Sequence, residues 1–153
     1  MDNLDIHLLQ LLQQNNRLST EELGHKVGLS ATACQRRLKK LRSSSYIKKE
    51  VAVLDTQQLK PFVTVLVELT LKQGGAAQID KIKTSMLAEP MVQQCYYTAG
   101  NADFILVIVT PGMSEYEALT RRLFFTNENI EKFTSNVVME NVKTGLELPL
   151  IPE

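Results

Sequence analysis

The chain is poor in the side chains that build disulfide-linked or metal-bound frameworks. It has two cysteines, Cys34 and Cys95, and two histidines among its 153 residues, and no Cys-x-x-Cys spacing occurs. A disulfide framework is therefore excluded, and a zinc site is not expected. No nucleophile–base pair, phosphate-binding glycine loop or paired-carboxylate signature is present. The sequence thus indicates no catalytic residue, no metal and no cofactor.

Long apolar runs are also missing. The longest is Phe104–Val109, far short of the roughly 20 residues that cross a bilayer. The first ten residues carry acidic and no basic side chains, so no secretory signal is predicted. We therefore expect a cytoplasmic protein without a membrane partner.

Net charge is zero overall but not locally. Lys+Arg and Asp+Glu number 17 each. Residues 1–60 carry ten basic and six acidic side chains, whereas residues 61–153 carry seven basic and eleven acidic ones. Such asymmetry between the two halves predicts a basic module joined to an acidic one.

The basic half has the pattern of a helix-turn-helix. Leucines at helical spacing predict a first helix that stops at Asn15, since asparagine tolerates the left-handed conformation that ends many helices. Ser19 opens a second helix with a Ser-x-x-Glu capping box, and Gly28 ends it. Ser30 then caps a third helix predicted over residues 31–41. A short helix, a glycine turn and a longer basic helix form this motif.

The third helix has two different faces on a helical wheel. Cys34, Leu38 and Leu41 lie on the side predicted to face the core. The other side carries long polar and basic residues, namely Thr32, Gln35, Arg36, Lys39 and Lys40. A recognition helix presents such side chains to base edges near its start and to phosphates further along. Residues 36–49 hold seven basic side chains and no acidic one, which favours a nucleic-acid surface over an ordinary solvated face.

A strand is predicted over Tyr46–Leu54, where β-branched residues partly alternate with polar ones. It leads out of the helical module. The predicted boundaries are therefore a helix-turn-helix domain over residues 1–54, a linker over 55–61 and a second domain over 62–153.

The acidic half predicts the order β-α-β-β-α-β. Strands are expected over residues 62–72, 92–98, 104–110 and 132–142, with Gly74 and Gly75 breaking the first one. One helix carries apolar residues at helical spacing, namely Ile79, Ile82, Met86 and Leu87. The other is expected to open with a capping box at Ser114 and Glu117 and to run to about Phe125. This order predicts an α+β protein whose second domain is ferredoxin-like, with both helices on one face of an antiparallel sheet.

The first strand of that sheet has two apolar faces. One is Val63, Val65, Val67, Leu69 and Leu71, and the other is Phe62, Thr64, Leu66, Glu68 and Thr70. Helices can cover only one of them. The second face is half apolar, so we expect it to pair with a second subunit.

The whole chain resembles the leucine-responsive regulator/AsnC family, the feast/famine transcription regulators. The segments that carry the resemblance in the basic half are Arg17–Leu23, Val27–Ser30, Cys34–Leu41, Ile47 and Ala52–Asp55. In the acidic half they are the Gly100-x-x-Asp103 turn and the Thr134–Lys143 strand.

The resemblance implies a transcription regulator with a helix-turn-helix domain and an effector-sensing domain. Its partners would be double-stranded DNA and a small molecule, typically an amino acid, and it would form a homodimer that often builds into an octamer. The implied DNA contacts add Ser30 and Arg37 to the exposed face of the third helix. The implied effector contacts are Gly100, Asn101, Asp103, Thr134 and Asn136.

Four positions depart from the family pattern. Asn16 and Ser45 stand where the family usually has glycine. The sensing turn, commonly Gly-Asp-aromatic-Asp, reads Gly-Asn-Ala-Asp from Gly100 to Asp103. The missing carboxylate at Asn101 favours a neutral amino acid over a lysine-type effector.

Two readings from other classes stay open on sequence alone. Sirohaem decarboxylases resemble the same two-domain layout and would use histidine or arginine at the tetrapyrrole carboxylates. Against this reading, the chain keeps a basic recognition face and neither histidine lies in the second domain. A helix-turn-helix that docks only another protein is the other reading. Loss of duplex DNA binding with rising salt would discriminate against it.

Overall fold

The computed structural model describes residues 1–55, 58–72 and 75–151. The elements are α1 (Asn3–Gln14), α2 (Thr20–Val27), α3 (Ala31–Ser43), β1 (Val63–Leu71), α4 (Ala76–Ala88), β2 (Val92–Tyr97), β3 (Phe104–Thr110), α5 (Met113–Thr120) with a π-helical turn (Arg121–Phe125), and β4 (Ile130–Val137). The chain divides into two compact units. The helical unit is Met1–Val53 with Lys143–Glu153, and the sheet unit is Leu54–Val142. This confirms the predicted α+β fold class and the β-α-β-β-α-β order of the acidic half.

The helical unit packs α1, α2 and α3 around one small core. Its buried apolar residues are Leu8, Leu23, Val27, Cys34 and Leu38. The predicted inward face of α3 is confirmed, since Cys34, Leu38 and Leu41 are all buried. Helix α1 does end at Gln14, but Asn15 is extended and not left-handed. Its side-chain Oδ1 instead accepts a hydrogen bond from the Arg17 backbone N–H at 3.0 Å.

The sheet unit has one antiparallel sheet in the strand order β2-β3-β1-β4. In the register of the central strands, Val65 lies opposite Ile108 on β3 and Val137 on β4. Apolar residues of α4, α5 and the π-helical turn pack with one sheet face into a single core, which includes Val65, Val67, Leu69, Ile82, Met86, Leu106, Leu119 and Phe124. The other face, which we call the open face, carries Thr64, Leu66, Glu68 and Thr70 of β1.

The predicted strand over Tyr46–Leu54 does not form. Residues 48–55 have no regular secondary structure, and Val51, Val53 and Leu54 are exposed. The physical reason is that no described strand of the chain pairs with this segment, because the sheet contains only β1–β4. Its alternating pattern therefore lacks the ladder of hydrogen bonds that a strand needs.

Two helix details also differ from the prediction. Helix α5 starts one residue before Ser114, with Gly112 as its N-cap and no side-chain cap bond, so the predicted capping box is wrong. Glu117 instead pairs with Arg121 one turn later, at 2.7 Å. On α4, Leu87 is 87% exposed, because Ile82 and Met86 already fill the face that packs on the sheet.

The last strand is shorter than predicted. It begins at Ile130, two residues earlier than predicted, and ends at Val137 and not at residue 142. The Val138 N–H still donates to the Thr64 carbonyl at 2.9 Å, but β1 begins at Val63, so the residues that follow have no further length of β1 to pair with. Residues 143–151 then lie with the helical unit, whereas the predicted second domain extended to residue 153. Residues 56 and 57 of the predicted linker, the expected break at Gly74, and residues 152 and 153 lie outside the described residues.

Candidate nucleic-acid interface and effector turn

The turn between α2 and α3 is shaped by two glycines and two hydroxyl caps. Ser19 and Glu22 form the predicted capping box, with Ser19 N to Glu22 Oε2 at 2.7 Å and Glu22 N to Ser19 Oγ at 3.2 Å. Gly28 ends α2 in the left-handed conformation, at φ 72°, which glycine adopts without steric cost. Ser30 Oγ accepts the Ala33 N–H at 3.2 Å and caps α3 as predicted.

Gly24, within α2, packs against this turn, and the sequence analysis did not predict its importance. A Cβ at Gly24 would lie 2.4 Å from the Leu29 carbonyl oxygen. The Leu29 N–H also donates to the Gly24 carbonyl at 2.9 Å. Only glycine lets the two backbones approach this closely. A glycine in the middle of a short predicted helix, four residues before the Gly28 turn, is the signal that marks it.

The outward face of α3 is polar and cationic. Thr32, Gln35, Arg36, Lys39 and Lys40 are all exposed. A shallow groove beside this face is lined by Thr20, Gln35, Leu38, Lys39, Arg42 and Ser43. The start of α2 therefore borders the exposed side of α3, which is the arrangement by which a helix-turn-helix contacts a duplex backbone.

Arg37, which the resemblance implied as a DNA contact, forms ion pairs within the chain. Its Nη1 lies 2.7 Å from Asp2 Oδ2 and 2.8 Å from Asp5 Oδ1, so it ties α3 to the beginning of α1. Hydrogen bonds to Asp5 first and to Asp2 second raise the pKa of Arg37 above its ordinary value. The pKa of Asp2 is lowered, mainly by the backbone hydrogen bond from Asp5 and then by Arg37. The Arg37 guanidinium is therefore already paired with two carboxylates of the same chain.

Some cations of the basic run form ion pairs within the chain, and others do not. Arg42 Nη2 lies 2.8 Å from Glu50 Oε1, so Glu50 neutralises part of the basic run just beyond its end. Arg36, Lys39 and Lys40 form no ion pair with any described residue. On α3, these three cations are the ones that a polyanion can contact without breaking an ion pair to a described residue.

In the sheet unit, the predicted effector turn is braced by backbone bonds. The Thr98 hydroxyl donates to the Ala102 carbonyl at 2.6 Å, and the Thr98 N–H donates to the Asp103 carbonyl at 2.9 Å. Asp103 Oδ2 accepts the Leu71 N–H at 2.7 Å. One carboxylate oxygen of Asp103 therefore holds the end of β1, which leaves the other oxygen for any ligand.

Gly100 is not required by the conformation of its own chain. Its φ lies outside the left-handed region, and a Cβ built on it would meet nothing within 4 Å. A glycine that neither the backbone angles nor the packing demands leaves open space beside the turn. Such space allows another group to approach the main chain closely.

Thr134 and Asn136 lie on β4 and not beside the turn. In the sheet register they stand opposite Glu68 and Leu66 on the open face, and β1 separates them from β3. Two strand spacings amount to about 10 Å. The structure thus brings Gly100, Asn101 and Asp103 together, while Thr134 and Asn136 of the same chain stay on the far side of β1.

Other site types find no support in the described part of the chain. Residues 1–55, 58–72 and 75–151 contain no group of three or more His, Cys, Asp or Glu side chains that could hold a metal ion. Among the same residues, no helix combines the length and apolar character that a membrane span needs. Both His7 and His25 are exposed on helices, and Cys34 is buried in the core.

Comparison with known families identifies the two units. The AsnC-type helix-turn-helix domain matches residues 1–42, and the Lrp/AsnC ligand binding domain matches residues 64–148. The chain belongs to the Lrp/AsnC family of transcription regulators. The family identity makes α3 the recognition helix of a DNA-binding domain and the sheet unit a ligand-binding domain.

Relatives of this family match along the whole chain. An uncharacterised HTH-type transcriptional regulator of Sinorhizobium fredii is 43% identical over 98% of this chain and 89% of its own length. The leucine-responsive regulatory protein of Escherichia coli is 31% identical over 97% and 90%. An AsnC family regulator from Agrobacterium tumefaciens has a solved structure with a TM-score of 0.90, 33% identity and coverage of 98% and 97%.

A further solved relative carries a ligand. The structure of a transcriptional regulator from Neisseria meningitidis in complex with L-Met matches with a TM-score of 0.90 and 25% identity, covering 98% of this chain and 97% of that one. These relatives are regulators, and members of the Lrp/AsnC family are not enzymes. The sirohaem-decarboxylase alternative is therefore not favoured.

Proposed function

We propose that this Lrp/AsnC regulator reads DNA with the outward face of α3. Gln35 and Arg36, near the helix start, contact base edges together with Thr32, and Lys39 and Lys40 contact phosphates. The Ser30 hydroxyl, which accepts a backbone hydrogen bond, still has its proton to donate to a phosphate. The observation that carries this proposal is the set of cations on α3 without an internal partner.

The test is binding of genomic DNA fragments at several salt concentrations. Contacts to phosphates release counterions, so the logarithm of the binding constant falls linearly with the logarithm of the salt concentration. A helix-turn-helix that docks only proteins would give no enriched fragment and no such slope. A DNA partner agrees with the expected cytoplasmic location.

We further propose that the open face of the sheet pairs two copies into a homodimer. Leu66 and Ile105 on this face are 41% and 38% exposed, and they lie on the two central strands. Exposed apolar surface at the centre of a sheet is typical of a protein–protein contact. Dimers of this kind would associate further into the expected octamer, and sedimentation of the full chain measures both states.

The proposed effector is a neutral amino acid bound at the turn. The free oxygen of Asp103 would accept the ligand ammonium, and main-chain groups at Gly100 and Asn101 would approach its carboxylate. Thr134 and Asn136 would complete the polar ring from a neighbouring copy, because about 10 Å across β1 exceeds what one amino acid backbone can bridge. The L-Met complex of the Neisseria relative supports this ligand class.

Calorimetry with the twenty amino acids tests the effector. Asp103→Asn is the informative variant, because an amide oxygen can still accept the Leu71 N–H while the negative charge is lost. Binding to the wild type that weakens in Asp103→Asn supports the proposal. Binding that survives unchanged would move the site elsewhere, and no binding to the wild type would indicate regulation without an amino acid.

A further inference from the structure

The segment after the sheet returns to the first helix of the chain. Gln13 uses both ends of its side-chain amide on one residue of this tail: Nε2 donates to the Leu148 carbonyl at 3.2 Å, and the Leu148 N–H donates to Oε1 at 2.6 Å. Gln10 Nε2 donates to the Leu150 carbonyl at 2.7 Å. Two glutamines of α1 thus provide the hydrogen bonds that a neighbouring strand would give an extended chain.

The spacing of the two glutamines on α1 matches the spacing of the two tail carbonyls to which they donate. Gln10 and Gln13 are three residues apart and therefore neighbours on one side of α1. Leu148 and Leu150 are alternate residues of the tail, and the Leu150 N–H donates to the Leu148 carbonyl at 2.8 Å. That bond tightens the tail around Pro149, so its carbonyls match the short spacing of the two side chains.

Hydrogen bonds and little apolar burial hold the tail: of its described residues 143–151, Leu150 alone is partly buried. Leu146, Leu148 and Ile151 stay 78%, 65% and 81% exposed. A contact made of a few partly exposed hydrogen bonds, with little buried apolar surface, opens easily. The docked tail is therefore a contact that can open at a small cost in free energy.

Because of the order of the two units along the chain, docking of the tail adds a second covalent restraint on the helical unit. The helical unit is formed by both ends of the chain, and Leu54–Val142 lies between them in sequence. With the tail docked, two covalent connections restrain the helical unit relative to the sheet unit. With the tail released, only the connection after α3 remains.

We propose that residues 143–151 are a strap, which docks on Gln10 and Gln13 and restricts reorientation of the helical unit. Its consequence for DNA rests on the proposed function. Two recognition helices held by docked straps would accept a narrow range of half-site spacings, and released straps would widen that range.

The first experiment measures docking in the full chain. The test variant is Gln10→Ala with Gln13→Ala, and the control is Asn16→Ala, which changes an exposed residue just after α1 that does not line the cleft between α1 and the tail. Hydrogen–deuterium exchange of the Leu148 amide should be at least tenfold faster in the test variant than in the wild type or the control. Equal exchange in all three proteins would overturn the strap.

The second experiment measures reorientation. A dye on His25→Cys, in a Cys95→Ser background, reports motion of the helical unit through fluorescence anisotropy decay. The Gln10→Ala/Gln13→Ala variant should add a fast component that the Asn16→Ala control lacks. If exchange at Leu148 accelerates but the anisotropy decay does not change, the tail docks without restraining the unit, and the proposal is wrong.

The third experiment connects the strap to DNA. Half-sites of a selected fragment are moved apart by about five base pairs, half a helical turn. The wild type should lose more affinity than the test variant, and equal losses would contradict the spacing role. If the affinity of the wild type does not change with half-site spacing, binding to two half-sites, as the proposed function has it, is wrong. The amide exchange and the anisotropy decay would then still test the strap independently.

Discussion

The outward face of α3 and the open face of the sheet are both left uncovered by their own chain, but they differ in chemistry. On α3 the exposed residues are polar or cationic, and Arg36, Lys39 and Lys40 have no ion-pair partner among the described residues. On the sheet, apolar Leu66 and Ile105 are exposed on the central strands. The first face suits a hydrated polyanion, and the second suits a surface that excludes water.

This difference shows why the overall composition says little about partners. The charges cancel to zero over the chain, yet three cations without an ion pair among the described residues are neighbours on α3. Ion pairs within the chain further reduce the number of cations that are available to DNA. Arg37 and Arg42 are neutralised by Asp2, Asp5 and Glu50, so the nucleic-acid surface is smaller than the basic run suggests.

The largest expected effect is on the sheet face. We predict that Leu66→Asp weakens the homodimer by about 3–5 kcal/mol, because an unpaired carboxylate would be buried at the contact. Leu66 is 41% exposed in the single chain, so the fold of the sheet unit should persist. Sedimentation velocity measures the dissociation, and circular dichroism checks the fold.

Glu68→Gln is the control for that prediction. Glu68 lies two residues further along β1, exposed on the same face, and its substitution removes a charge where Leu66→Asp adds one. The Glu68→Gln protein should remain at least as associated as the wild type. A Leu66→Asp protein that sediments as a folded dimer would place the interface elsewhere.

The next effect concerns base reading on α3. Arg36→Ala should cost about 1–3 kcal/mol at a selected DNA site and reduce discrimination against random DNA. Lys39→Ala should weaken both DNAs alike and make the salt dependence less steep, because a phosphate contact carries no sequence information. Fluorescence anisotropy titrations at several salt concentrations separate the two. Identical behaviour of both variants on both DNAs would contradict the assignment.

A third prediction uses the open space at Gly100. Gly100→Ala should leave the free energy of unfolding within about 0.5 kcal/mol of the wild type, since an added methyl meets no atom of the chain. Amino-acid binding should weaken about tenfold or more, because the methyl occupies the space beside the turn. Denaturation and calorimetry measure the two quantities. Unchanged binding would show that no ligand approaches Gly100.

Much of the fold could be predicted because local signals and burial agree. The capping box of Ser19 and Glu22, the left-handed Gly28 and the alternating faces of β1 all appear as the sequence indicates. The strand over Tyr46–Leu54 could not be judged this way. Its residues favour a strand, but the chain offers no strand beside it, and pairing is a property of the partner.

The candidate sites show a similar division. The helical wheel correctly separates the buried Cys34 and Leu38 from the exposed Arg36. It does not show that Arg37 bonds to Asp2 and Asp5, because those carboxylates lie more than thirty residues away in sequence. The tail contact with Gln13 spans 135 positions and has no local signal. Sequence patterns alone do not reveal ion pairs and hydrogen bonds between residues that are far apart in the chain.

The Arg37 ion pairs predict a dependence of stability on pH. The folded state lowers the pKa of Asp2, first through the backbone hydrogen bond from Asp5 and then through Arg37. The contribution of the Asp2–Arg37 pair is therefore complete above the ordinary aspartate range and is lost as the pH falls through the lowered value, below about pH 4. Arg37→Ala should therefore lower the unfolding midpoint at pH 7 and have less effect at pH 3. Urea denaturation at both pH values measures this. Arg36→Ala, which breaks no ion pair, should show no such difference.

The smallest expected effect is at Ser45, which has φ 59°. A side chain in the left-handed region costs about 1–2 kcal/mol, and glycine removes that cost but gains freedom in the unfolded chain. Ser45→Gly should therefore stabilise the protein by about 1 kcal/mol or less. Ser44, at φ −89°, is the matched control, and Ser44→Gly should be neutral or destabilising. Thermal denaturation compares both with the wild type, and a Ser45→Gly protein less stable than Ser44→Gly would contradict the strain.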